Sequence, residues 1–201
     1  MDIAEMYIHG IKQAYIDAAA KEKWEQFESV IYGVSTEDIA LVREEYPDIP
    51  DALIQLLKFV DGTYWREYEG HQVVFYFLGS DVFEYPYYLL SAKQILQTKN
   101  EAFEYYADYI NRKYDDIAVD EKITNHAMGI KWLHFSDCMN NGGTSQLFID
   151  FSPSEKGHSG QVVRFLHDPD DMKVIADNFE EYLQMLIDNR YAFIQEETIV
   201  T

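Results

Sequence analysis

The chain opens with apolar residues at helical spacing. Ile3, Met6, Tyr7, Ile11, Ala14, Tyr15 and Ala18 share one face, and Trp24, Phe27 and Ile31 resume it after the charged Lys21-Glu22-Lys23. The pattern predicts one long helix over 2–29, or two joined near Lys21. At Val34-Ser35-Thr36-Glu37-Asp38-Ile39 a second start is legible. Ser35 caps, Asp38 stands at the reciprocal capping-box position, and Val34 staples to Ile39. This helix stops by Pro47. The next has Pro50 in its first turn, sets Leu53, Leu56, Leu57 and Val60 on one face, and ends at Asp61-Gly62.

Alternation replaces the helical period from His71 to Gly79, with Val73, Phe75 and Phe77 on one side and Val74, Tyr76 and Leu78 on the other. Apolar residues on both faces predict a central strand. Asp81 to Leu89 is a further extended stretch that Pro86 restricts to an edge or a bulge. Ser91 then caps a long helix, with Gln94 completing the box, Leu90 stapling to Ile95, and an apolar face through Ile95, Ala102, Phe103, Tyr106, Ile110 and Tyr114. Residues 115–128 show no clear period and are expected to be loop, with or without a short helical turn.

From Ile130 to His167 the alternation returns as three short strands. Leu147, Ile149 and Phe151 alternate with Gln146, Phe148 and Asp150, with turn chemistry at Asn140-Asn141-Gly142-Gly143 and between Ser152 and Gly160. This is an antiparallel meander. Asp168-Pro169-Asp170-Asp171 is a polar break, and Asp177 with Glu180 forms a capping pair for a helix that buries Phe179, Tyr182, Leu183, Leu186 and the stem of Arg190. The predicted class is α+β, a central, mainly antiparallel sheet flanked by helices.

The stretch "WLHFSD…NNGGTSQLFIDFSPSEKGHSGQVV", followed by "DNFEEYLQML", resembles the second half of a SUKH domain. The residues that carry the resemblance are Trp132, Gly143, Asp150, Pro153, Gly160, Val162 and the helix Phe179-Glu180-Glu181-Tyr182-Leu183. Residues 33–62, with a Ser-led helix, a Pro-led helix and the closing Gly62, resemble the opening module of the same superfamily. It includes the fungal Smi/Knr cell-wall regulators and many bacterial immunity proteins. The resemblance implies a SUKH-like domain over 33–190 carrying a helical insertion at about 91–128, preceded by a helical extension over 1–32 packed on the core and followed by a tail over 191–201. Gly62, Trp132, Gly143, Asp150, Pro153 and Gly160 are then expected to shape turns and sheet rather than to touch a partner.

Composition narrows the function. Sixteen basic against 36 acidic residues give a net charge of −20, which opposes direct binding to nucleic acid or an anionic membrane and steers a basic protein inward. No apolar run approaches the roughly 18 residues of a membrane span. The acidic N-terminus does not read as a signal peptide, and the lone Cys138 suits a reducing compartment, so a cytoplasmic location is expected.

Catalytic chemistry finds little footing. The six histidines form no His-x-x-x-His or His-Glu pair, and His134 with Cys138 is read as an outward or half-buried strand histidine and a small turn cysteine. Gly142-Gly143-Thr144-Ser145 lacks the phosphate-binding lysine and helix, and reads as a hairpin turn. Asp168-Pro169-Asp170-Asp171 lacks the spacing of a calcium loop. No catalytic residue, metal or cofactor is therefore expected. What remains is a crowd of aromatics and acids: Tyr64, Trp65, Glu67, Glu69, Asp81, Glu84, Tyr85 and Tyr87. Such a mixture offers anchors and steering charge for a basic partner. Together with the resemblance it implies an immunity protein that occludes a nuclease toxin, with an intracellular scaffold or regulator of the Smi/Knr type as the alternative. A homodimer through the long helices stays open.

Overall fold

A computed structural model describes residues 1–140, 143–195 and 199, with Met139, Asn140 and Gly143 described by backbone alone. The opening pattern forms two helices, α1 (Ile3–Asp17) and α2 (Lys21–Val30), broken where Ala19 takes φ 57°. Ser35 caps α3 (Thr36–Glu45), accepting from Asp38 N at 3.0 Å. Its hydroxyl donates to the Asp38 carboxylate at 2.9 Å, so the aspartate turns to the cap side chain. Pro50 is the N-cap of α4 (Asp51–Phe59) rather than its first helical residue. Ala52, Leu53, Ile54, Leu56 and Leu57 of α4 are all buried. They form one broad face, while Asp51 and Lys58 stay exposed on the other.

The strands differ from the alternation in instructive places. β1 (Arg66–Tyr68) and β2 (His71–Val73) form a separate hairpin. The main sheet is built from β3 (Tyr88–Leu89), β4 (Ala118–Val119), β5 (Trp132–Asn140), β6 (Gly143–Asp150), β7 (Gln161–Leu166) and β8 (Asp171–Ala176), in the order β3-β5-β6-β7-β8-β4. Every pair is antiparallel except β4 with β8. The meander read from the sequence is its centre. The hairpin turn expected at Asn140 to Gly143 falls partly on Asn141 and Gly142, which lie outside the described residues. β8 starts at Asp171, the last residue of what the sequence offers only as a polar break. The final helix α7 (Phe179–Asp188) is capped one residue later than expected, by Asn178 accepting from Glu181 N at 2.8 Å. It buries Phe179, Tyr182, Leu183 and Leu186, while Arg190 lies exposed beyond it.

Both faces of the sheet are covered. Leu133, Phe135, Leu147, Ile149 and Val162 join the larger core with α1, α4 and α7. Trp132, Phe148, Val163, Phe165 and Met172 form a second core on the opposite face. The helix predicted from Ser91 is in two pieces, α5 (Ala92–Gln97) and α6 (Glu101–Ile110), separated at Thr98 to Asn100; α5 buries Ala92 and Ile95 in the larger core, and α6 covers the opposite face. Ser91 and Gln94 do form the capping box. Ala102, Tyr106 and Ile110 face the sheet, whereas Phe103 and Tyr114 point to solvent. Arg112 secures the following loop by donating to the carbonyls of Ile110, Asp120, Ile123 and Thr124. That brings Ile123 and Ala127 down onto the second core.

Residues 74–79 are not the central strand that their alternation predicts. The segment is buried at Phe75, Phe77, Leu78 and Gly79 yet outside the main sheet, bridged among the described residues only at Leu78 to Tyr87. Buried carbonyls need donors, and tyrosine hydroxyls supply them. Tyr15 donates to Tyr76 O at 2.7 Å, Tyr7 to Phe77 O at 2.6 Å, and Tyr182 to Gly79 O at 2.7 Å. Burial pushes the phenols of Tyr7 and Tyr182 well above their ordinary range, so both keep the proton they donate. Replacing either with Phe leaves a buried carbonyl unpaired and is expected to cost about 1–3 kcal/mol each in urea unfolding. A loss below about 0.5 kcal/mol in both variants would show that these bonds do not hold the segment.

Candidate protein-interaction surface

The hairpin of β1 and β2 stands out from the sheet and is anchored at its base. Its two-residue turn is Glu69 (φ 47°) and Gly70 (φ 88°). Positive φ at both positions is the geometry that matches strand twist, and glycine adopts it without strain. The Arg66 guanidinium donates to Asp61 Oδ2 at 2.9 Å and to Asp61 O at 3.1 Å, and lies 5.3 Å from the centre of the Tyr68 ring. Asp61 also accepts from Ala92 N at 2.9 Å, tying the hairpin base to the start of α5. Tyr68 is buried and donates to Gly62 O at 2.7 Å. Gly62 has φ 88° and lies so close to Ser91 that a Cβ would meet its backbone at 2.6 Å.

This frame sorts the aromatic and acidic candidates. Trp65 is 58% exposed at the hairpin base, and Glu67 and Glu69 project from it. Among the described residues neither glutamate has an ion pair, nor does the exposed Glu84. Tyr64 is half-buried and packs against Tyr88 at 5.1 Å, which stacks on Tyr76 at 4.9 Å, so these rings form the flank of edge strand β3. Tyr85 is half-buried as well. Tyr87 is fully buried under the 74–79 segment, so its ring is core rather than surface.

Asp81 is satisfied within the fold. It accepts from Arg164 Nε at 2.7 Å and Lys173 Nζ at 2.8 Å, while Arg164 also holds Asp171 at 2.8 Å. Burial raises the Asp81 carboxyl, but Lys173 and Arg164 outweigh it and hold the group below its usual range. Its negative charge is spent on fastening the 80–86 loop to β7 and β8. Tyr32, exposed and packed edge-on against Tyr68 at 4.9 Å, belongs to the hairpin surface although its place in the chain gave no hint of it.

The expected structural residues shape the loop between β6 and β7. Trp132 pairs with Asp150 across β5 and β6, and Gly143 starts β6 opposite Asn140. Asp150 is buried and accepts from Ser152 N at 2.7 Å and Gln161 Nε2 at 2.9 Å, and its backbone carbonyl accepts from Gly160 N at 2.7 Å. Burial nonetheless pushes its carboxyl up. Pro153 lines a groove against the 119–126 loop.

The chemistry of the remaining candidates is also clear. A bulge at Phe135 shifts the register of β5, so that His134 and Asp137 face the second core while Cys138 faces the first. His134 is buried rather than outward or half-buried, 3.6 Å from Asp137. Asp137 in turn accepts from Gln146 Nε2 at 3.0 Å, and Gln146 accepts from Tyr106. Lone polar residues within strands gave no sequence signal for this network. Burial first, then Asp137, pushes the Cys138 thiol to about 12, which leaves little nucleophilic thiolate. Among the described residues no group of three or more His, Cys, Asp or Glu is arranged to hold a metal ion, and no helix is long and apolar enough to cross a membrane.

A six-stranded, mainly antiparallel sheet covered by helices, with a separate two-stranded hairpin beside it, defines an α+β domain. The profile of the SMI1 / KNR4 family (SUKH-1) matches residues 33–185, and the chain belongs to that family. A search of curated proteins gave no match.

The Asp81 pair has a pH signature. A carboxyl held below its ordinary value contributes stability that is complete above the unfolded pKa and is lost as pH falls through the folded one. The stability difference between wild type and Asp81→Asn is therefore expected to be flat above about pH 5 and to shrink below about pH 4. A difference independent of pH across that window would remove the ion pairs from the account.

Proposed function

We propose that this chain is an immunity protein that binds a basic toxin, a nuclease in the favoured case, and neutralises it by stoichiometric occlusion in the cytoplasm. The observation that carries the reading is the pairing of Glu67 and Glu69, two exposed acids without ion pairs among the described residues, with the exposed Trp65 on one anchored hairpin of a SUKH-1 family member. Exposed aromatic surface supplies contact area that desolvates on binding. Unpaired acids on a molecule of charge −20 accelerate encounter with a cationic groove and compete for the positions that nucleic-acid phosphates take. The mode is non-enzymatic, with one partner held per chain.

Stoichiometric recovery of one basic toxin domain from native lysate, identified by mass spectrometry, supports the proposal. Retention of wall-synthesis or signalling proteins with no toxin, even when toxin genes are expressed, counts against it. With the toxin in hand, Glu67→Gln, Glu69→Gln and Glu84→Gln combined are expected to slow association about tenfold at low salt and to leave dissociation nearly unchanged. Stopped-flow rates that do not move would place the interface elsewhere.

A further inference from the structure

The free edge of the hairpin carries a more specific reading. In a two-residue hairpin the closing pair is the narrow, hydrogen-bonded one, and the alternation follows from it. Tyr68 with His71 closes this turn, and Arg66 pairs with Val73 two positions on, so the backbone groups of His71 and Val73 face β1. Those of Gln72 therefore face away from β1. Val74 continues the alternation, and Phe75 keeps the inward sense by donating to Thr63 O at 3.0 Å. Among the described residues β2 has β1 as its single neighbour, and its outward edge pairs with none of them.

The edge borders a groove of about 330 Å³ against α2, lined by residues 70–75 and by Gln26, Phe27 and Val30. Lys23 stands in the groove wall and donates to the Ile199 carbonyl. Natural sheet edges are protected by lysine, proline, bulges or a covering element. Gly70-His71-Gln72-Val73-Val74-Phe75 carries neither lysine nor proline, and Val74 is 38% exposed.

We propose that β2 is a docking edge for an extended basic segment of a partner protein, which adds as a further strand in the groove between β2 and α2. Gln72 and Val74 supply the ladder, apolar side chains of the segment enter over Phe27 and Val30, and its cations lie toward Glu67 and Glu69. Glu67 is opposite Gln72 in register and therefore shares its face of the hairpin. Charge decides between occupants: a second copy would bring another −20 to the same edge, and like charges set side by side oppose pairing. This reading deepens the protein-binding function proposed above and names how its surface is used.

The probe is a labelled peptide of four Lys-Val repeats, titrated by fluorescence anisotropy against the full chain. Two N-methylated forms accompany it, one blocked at every lysine nitrogen and one at every valine nitrogen. Strand addition uses the amides of alternate residues only. One blocked form is expected to bind at least about tenfold more weakly while the other stays within about threefold. Gln72→Pro, which removes an outward N–H that β1 does not use, is expected to weaken the unblocked peptide about tenfold with its melting curve retained. Val74→Lys gives a second variant of the same edge with the same expected loss. No saturable binding up to about 1 mM, equal binding by both blocked forms, or unchanged binding by both variants overturns the proposal. A concentration-dependent dimer dissolved by Gln72→Pro overturns it by assigning the edge to a second copy. A cognate toxin that binds wild type and both variants alike refutes strand addition and leaves the immunity function standing. Peptide addition with no toxin recovered does the reverse.

Discussion

The structure depends on how a buried, irregular segment satisfies its backbone. Residues 74–79 cross the interior beneath α1 and α7 outside the main sheet, and an unpaired carbonyl there costs as much as a lost hydrogen bond. Tyr7 and Tyr15 from α1 and Tyr182 from α7 bond three of these carbonyls. Tyr191 closes the circuit by donating to Tyr7 O at 3.2 Å. The phenol ring adds packing to the bond: Tyr15 stacks on Phe75 at 4.7 Å, and Phe75 stacks on Phe27 at 3.9 Å. Helices before residue 33 and residues after 185 thus complete a core whose middle lies within the family match.

The second constraint is a sheet with two apolar faces. Phe148, Val163 and Phe165 would meet water if only one side were covered, and α6 with the 118–130 loop prevents this. Packing alone does not hold so long a loop. Arg112 does so by collecting four carbonyls with a single guanidinium, a planar group whose several donors suit the task. Burial lowers its pKa, and the Asp120 carboxylate opposes that shift.

Charge is distributed unevenly within this frame. The buried cation Arg164 draws Asp81 and Asp171 onto the sheet, and Arg66 draws Asp61 to the hairpin base. These acids act on the fold itself. Glu67, Glu69 and Glu84 are left to the solvent, and the net charge presented outward is carried by such residues. An acidic surface of this kind sets encounter rates more than it sets complex lifetime. Lifetime would come from apolar contacts and from backbone ladders of the kind an open edge provides.

The sequence by itself determined the helices with strong caps and periodic faces, the central meander, and the α+β class, because these follow from neighbours within one turn or one strand. Ser35, the Ser91-Gln94 box, the Leu147-Ile149 alternation and the apolar face of α7 were all legible in this way. Family membership was legible too, through Gly62, Asp150, Pro153 and Gly160, whose turns are local. Tertiary structure alone decided what alternation leaves open, namely which partner takes each backbone group. A run such as Val73 to Gly79 reads as a central strand whether its carbonyls meet a neighbouring strand or three tyrosines from distant helices. The candidate surface divides the same way. Trp65, Glu67 and Glu69 remained outside as the hairpin placed them, whereas Asp81 and Tyr87 were claimed by Arg164, Lys173 and the core, partners remote in sequence that no local pattern reveals.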